Sequence, residues 1–249
     1  MTSSPQSRPK ESCISTIIKL LTLIVFIVVL IGLLFPLGFG NHMHESSKKA
    51  EAKNDETQIV TAVKAFYVEY GYYPVIGSWE TKKDAYYGPG PIPPSLSGTV
   101  ANMGSNALLM DVLRNNTSGA NASTVKSLNP REIVFFDAPT VRDIRHPVSG
   151  VIPNGSPNGG VYFDPWGSPY NVLINASYSG TLINPYQDAP AGAILKTGVI
   201  AWSFGKNGTL GGGPAVSDGF TSERGTAEFY YSKPHDSSAA SCGDVISWQ

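Results

Sequence analysis

The stretch "FDPWGSPYNV", Phe163–Val172, decides how this chain is read. Asp at the first position, Pro at the second and Gly at the fourth are what a type I β-turn prefers. Asp164 can bond the backbone ahead of it, Pro165 presets φ, and Gly167 relaxes the exit. The same four residues resemble an active-site loop, and Asp164 could serve as a general base. The turn explains Asp164 fully, and Trp166 fits a packing role better than a substrate platform. The stretch is therefore read as a turn between two strands in "GGVYFDPWGSPYNVLIN".

Working outward, strand-like runs occur at Gly198–Phe204 and in "DVISW" at the C-terminal end. "REIVFFDAP" is an apolar run closed by Asp-Ala-Pro and is predicted as a short strand. "SNALLMDVLRNN" predicts a short helix capped by Ser105, with Leu108, Leu109, Val112 and Leu113 on its apolar face. Residues 75–105 are rich in Gly, Pro, Ser and Tyr and are predicted as an extended loop. No repeat of fixed period is present.

Before this head, "ESSKKAEAKNDETQIVTAVKAFYVEYG" is predicted as a helix. Ile59, Ala62, Val63, Phe66, Tyr67 and Tyr70 follow the i, i+3, i+4, i+7 pattern. Its charged first half reads as a solvated stem, and Gly71 and Pro74 end it. Further upstream, Leu20–Gly40 carries no charge, and roughly 20 such residues span a bilayer core. Arg8, Lys10 and Lys19 precede it, which orients the N-terminus to the cytoplasm. The expected organisation is a cytoplasmic segment 1–19, a transmembrane helix 20–40, an amphipathic stem 41–74 and a periplasmic head 75–249. From Ile17 to Tyr70 the chain is expected to form one long, kinked helix.

The 249 residues carry 18 Lys+Arg against 19 Asp+Glu, a net charge of −1. That balance offers no basic field for nucleic acid. Cys13 and Cys242 lack redox or zinc spacing and flank the apolar run, which argues against a bridge between them. There is no Gly-x-Ser-x-Gly, phosphate loop or His-Glu-x-x-His. His42 and His44 are two apart and share no helix face, and His146 and His235 have no triad partner in sequence. No catalytic residue is assigned, and the chain is read as a non-enzyme.

Taken in order, the apolar helix, the stem ending in Tyr-Gly-Tyr-Tyr-Pro, "DPWGSPY", "WSFGKNG" and "DVISW" resemble the major pseudopilin of type II secretion, a type IV pilin-like subunit. The likeness covers roughly residues 50–74 and 160–249. Pro169 and Tyr170 make it specific, because the turn itself does not need them. The resemblance implies an α+β, type IV pilin-like fold: a long N-terminal transmembrane and stem helix packed on a small antiparallel sheet with long loops. It implies a structural subunit of a secretion fibre in the bacterial inner membrane. Its partners would be other pseudopilins, met through the N-terminal helix, and the inner-membrane secretion platform.

Two departures qualify the likeness. No glycine lies ahead of the apolar run for a prepilin peptidase, and Val25 stands where the family's glutamate would be. The N-terminus is therefore expected to stay uncut, and a membrane-tethered, non-polymerising binding module is the alternative. The family's calcium loop would map onto Ser203–Thr209, with Asn207 and Asp244 as side-chain ligands, Ser203 in the loop, and Asp218 or Asp236 restoring the charge that Asn207 lacks. Calcium needs six to eight oxygens, usually including carboxylates. An Asn-Gly tight turn at Asn207-Gly208 explains the same residues without an ion.

Overall fold

The structure is a computed structural model and describes residues 13–34, 40–76, 82–89, 92–186, 193–208 and 244–248. The chain divides into two compact units, 1–47 and 48–249.

In the first unit, helix α1 spans Cys13–Leu34. Helix α2 begins at Gly40 and runs to Tyr70, mostly within the second unit. The long apolar N-terminal helix expected from Ile17 to Tyr70 is corrected to two described helices, with residues 35–39 outside the described residues. Among the described residues no helix is long and apolar enough to cross a membrane. Within α1 the charge of Lys19 interrupts the apolar residues. The hydrocarbon core of a bilayer is about 30 Å thick.

The second unit is built on a five-stranded sheet with strand order β2-β1-β5-β8-β9. The strands are β1 Asp84–Tyr87, β2 Val100–Asn102, β5 Asn171–Ile174, β8 Val199–Ser203 and β9 Val245–Ile246. Two small antiparallel pairs accompany it: β3 Gly150–Val151 with β4 Tyr162–Phe163, and β6 Leu182–Ile183 with β7 Ile194–Leu195.

The sheet corrects the expectation of a small antiparallel one. It is mixed, because β1 and β2 run parallel, Asp84 opposite Val100 and Tyr86 opposite Asn102. A parallel pair needs a crossover rather than a hairpin. The Pro/Gly-rich segment between the two strands supplies it, turning at Pro94–Leu96. The region read as an extended loop therefore contributes the strand next to β5. The expected strand at "REIVFFDAP" does not form. The Phe135 and Phe136 amides instead bond the Leu113 carbonyl, 2.8 and 3.1 Å, at the end of helix α3, Ala107–Leu113. Helix α4, Ala122–Leu128, follows α3.

Both faces of the sheet are buried, and the pleat sorts them. Ala85, Tyr87, Val172, Ile174, Val199, Ala201 and Val245 join a cluster with Ile59, Ala62, Val63 and Phe66 of α2. The alternate residues Tyr86, Leu173, Ile200, Trp202 and Ile246 join Leu96, Leu182, Tyr186 and Leu195 on the other face. Period-two alternation on the strands thus meets the 3.6-residue stripe of α2. The helix ends where expected, with Gly71 at φ +73° donating its N–H to Tyr67, 2.8 Å, as a left-handed C-terminal cap does.

Candidate functional site

The Asp-Pro-Trp-Gly segment is a turn that also clamps three elements together. Gly167 N–H donates to the Asp164 carbonyl, 3.2 Å, and the Asp164 N–H donates to the Ser168 carbonyl, 2.8 Å. Gly167 holds φ +93°, which favours glycine. The Asp164 side chain is fully buried. Its Oδ1 accepts the N–H groups of Trp166 and Ser168, 2.9 and 2.8 Å. Its Oδ2 accepts the Ser203 hydroxyl from the end of β8. Pro165 is buried, Pro169 bridges back to Phe163, and Trp166 is half-buried against the α2-side core. The Lys48 ammonium lies 6.0 Å from the Trp166 ring centroid, at the edge of cation–π range.

Tyr170 explains why the motif continues past the turn. Its ring is fully buried and its hydroxyl donates to Asp55 of α2, 2.8 Å. The next residue of α2, Glu56, is equally buried, and its Oε1 accepts the Ser203 N–H, 3.1 Å. Ser203 therefore stands between two acids, its amide on Glu56 and its hydroxyl on Asp164. The Gly205 N–H donates to that same hydroxyl, 2.9 Å. Sequence reasoning missed Asp55 and Glu56.

These acids do not share one electrostatic state. Burial pushes the Asp164 carboxyl up to about 6, against the lowering effect of its Ser203, Ser168, Trp166 and Gly167 donors. Burial also drives Glu56 well above the carboxylate range; nearby Lys53 opposes this, and Asp164 and Asp55 add to it. Glu56 Oε2 is buried with no hydrogen-bond partner among the described residues. With a single donor and an orphaned oxygen, Glu56 favours its neutral form more than Asp164 does, whose donors favour the charge. Burial raises Asp55 too, opposed by its Tyr170 and Tyr162 bonds.

The residues expected to bind calcium divide differently. Ser203 pairs with Val245 across β8 and β9 and shares its face of the sheet, the α2 side. Asp244 precedes Val245 and falls on the opposite side, where its carboxylate accepts the Tyr186 hydroxyl. Their side chains do not converge on one point. The Asn207 side chain, Asp218 and Asp236 lie outside the described residues. Gly208 adopts φ +64° after a 3-10 turn at Gly205–Asn207, the conformation an Asn-Gly turn requires. Among the described residues no group of three His, Cys, Asp or Glu is placed to hold a metal ion. Ser203 and Asp244 thus share no site with each other, and the rest of the expected set lies outside the described residues.

Nothing in this arrangement is open to a substrate: Asp164, Glu56 and Ser203 are fully enclosed. What the three groups do chemically is hold α2, the turn and β8 in one register. No family model, curated protein or solved structure matches the chain.

Proposed function

We propose that this chain is a structural subunit: a pseudopilin-like component of a type II secretion, type IV pilus-like fibre, carrying its 48–249 unit as the head. The observation behind this reading is the surface of α1. Its large apolar residues from Ile17 to Leu30 are 45–63 % exposed in the isolated chain. A helix apolar all round is stable in water only when something covers it. Copies of α1 packed on one another supply that cover. The clamp around Asp164 is what an exported head needs to keep its shape while its helix is engaged elsewhere. This reading places the head in the periplasm and the assembly on the inner-membrane secretion platform.

The tethered, non-polymerising module is the second reading, and Val25 favours it, because an apolar residue there lacks the acid that the resemblance implies. Cross-linking in intact membranes separates the two. A ladder of dimers, trimers and higher species is expected, and Phe26→Lys, on the groove formed by Leu21, Thr22, Val25, Phe26 and Val29, is expected to collapse it to monomer. A burying interface rejects an unpaired lysine at a cost of several kcal/mol. A monomer band alone in the unsubstituted chain would favour the tethered module.

A further inference from the structure

A cluster of three tyrosines at the C-terminal end of α2 stands apart from the clamp. Tyr67 comes from the last turn of the helix, Tyr73 from the segment after it, and Tyr178 from the loop between β5 and β6. The Tyr67 and Tyr73 rings stack at 4.6 Å with an interplanar angle of 27°. Tyr178 closes the group at 5.6 Å from Tyr73 and 6.4 Å from Tyr67. Tyr67 and Tyr178 remain 38 % and 47 % exposed.

Three features show that the fold builds this surface. Tyr178 holds φ +58°, a left-handed conformation costly for an aromatic residue. The loop that imposes it is fastened by Asn175, whose amide nitrogen lies 2.8–3.1 Å from oxygens of Asp84, Ser177, Ser179 and Thr181. Asn175 Oδ1 also accepts the Gly180 N–H, 2.8 Å. Tyr73 is seated over Gly198, where any Cβ would fall 2.0 Å from the Tyr73 hydroxyl. The loop is thus braced around a strained tyrosine that stays 47 % exposed.

The chemistry of the cluster selects its ligand. The ring surface that Tyr67 and Tyr178 leave outside the stack carries the negative end of the aromatic quadrupole and attracts weakly positive C–H groups. The hydroxyls of Tyr67 and Tyr73 make no hydrogen bond among the described residues, and burial, then the neighbouring Tyr67, Tyr178 and Asp84, raises the pKa of the Tyr73 hydroxyl. Flat C–H faces edged with hydroxyls are what a pyranose with equatorial substituents presents. We infer that Tyr67, Tyr73 and Tyr178 form a carbohydrate-binding platform for a neutral, β-1,4-linked pyranose chain.

Cellohexaose and chitohexaose are the probes, titrated into the full-length protein in detergent and followed by tyrosine fluorescence and calorimetry. At least one is expected to bind with a dissociation constant of about 1 mM or tighter. Tyr178→Asn is the informative variant, because asparagine tolerates the left-handed conformation and the loss is confined to the ring and the 3.4 Å bond its hydroxyl accepts from the Tyr73 N–H. It is expected to weaken binding by about tenfold or more with little change in melting temperature, and Tyr67→Ala is expected to weaken it similarly. Tyr178→Phe, which keeps the ring, is expected to retain most of the affinity. Absence of binding by both sugars, or equal binding by Tyr178→Asn and the unsubstituted chain, would overturn the inference.

Discussion

Asp164→Ala is expected to lower the stability of the head by about 4 kcal/mol, with three donors stranded at about 1–3 kcal/mol each. The Trp166 and Ser168 amides and the Ser203 hydroxyl all end on this one carboxylate, and its fully buried site gives them no water in exchange. In a chain of this size such a loss lowers the melting temperature by roughly 8–16 °C. Asp164→Asn separates geometry from charge. Its Oδ1 still accepts both turn amides, and its NH₂ meets the Ser203 oxygen, so about 1 kcal/mol is the expected loss. Calorimetry on the full-length chain reads both. If alanine proved as benign as asparagine, the carboxylate would not be the centre of the clamp. If both were equally severe, its charge rather than its acceptor geometry would be what the fold needs.

The turn was legible in sequence because its chemistry is local. Asp164, Pro165 and Gly167 each act within four residues, so their types and spacing suffice. What the turn is for was not legible. Ser203 lies 39 positions from Asp164, and Asp55 lies 115 from Tyr170. A signal for the acids did exist. The stripe Ile59, Val63, Phe66, carried back by helical spacing, passes through Ala52, Asp55 and Glu56. The dense charge of residues 45–56 suggested a solvated stem, yet Ala52 and Glu56 are fully buried.

Other differences have equally specific causes. Asn106 rather than Ser105 holds the cap position of α3, and it makes no side-chain cap bond there. Its Oδ1 accepts the Tyr162 N–H, 2.9 Å, while its NH₂ donates to the Tyr162 and Tyr170 carbonyls, 3.0 and 2.8 Å, so a tertiary contact outcompetes the local cap. Strand β1 was hidden because "DAYY" is only four residues long, between segments rich in Gly and Pro. Its place beside β5 is set by the pairing of Ala85 with Ile174 and Tyr87 with Val172, a register no local pattern encodes. Parallel pairing with β2 is invisible for the same reason: it depends on the path of the crossover and not on either strand's composition.

The head is expected to become more stable, not less, as the pH falls from 7 towards 5. The direction follows from the buried acids. For Asp164 the folded value lies near 6 against an ordinary 3.8. A raised folded pKa means that the folded state binds the proton more tightly than the unfolded chain. Its contribution is fully present below about 3.8 and is lost as pH rises through 6. Two pH units correspond to roughly 3 kcal/mol, with the lowering by the donors around Asp164 already contained in the value near 6. Glu56 extends the same trend to higher pH, since its folded value lies well above 4.5. Asp55 and Asp111 are displaced in the same direction by burial, while Asp143, exposed beside His146, is displaced downwards. Glu56→Gln isolates the largest part of the effect. Glutamine keeps an oxygen for the Ser203 amide but needs no proton to stay neutral. The variant is therefore expected to match or exceed the unsubstituted chain at pH 8, and to lose much of the rise in melting temperature between pH 8 and pH 5. A head that melts progressively lower on acidification over that range, or a Glu56→Gln chain with an unchanged pH profile, would mean that Glu56 is ionised in the folded protein. In that case its second oxygen would have a partner, and α2 would be held to β8 by charge as well as by the single Ser203 amide.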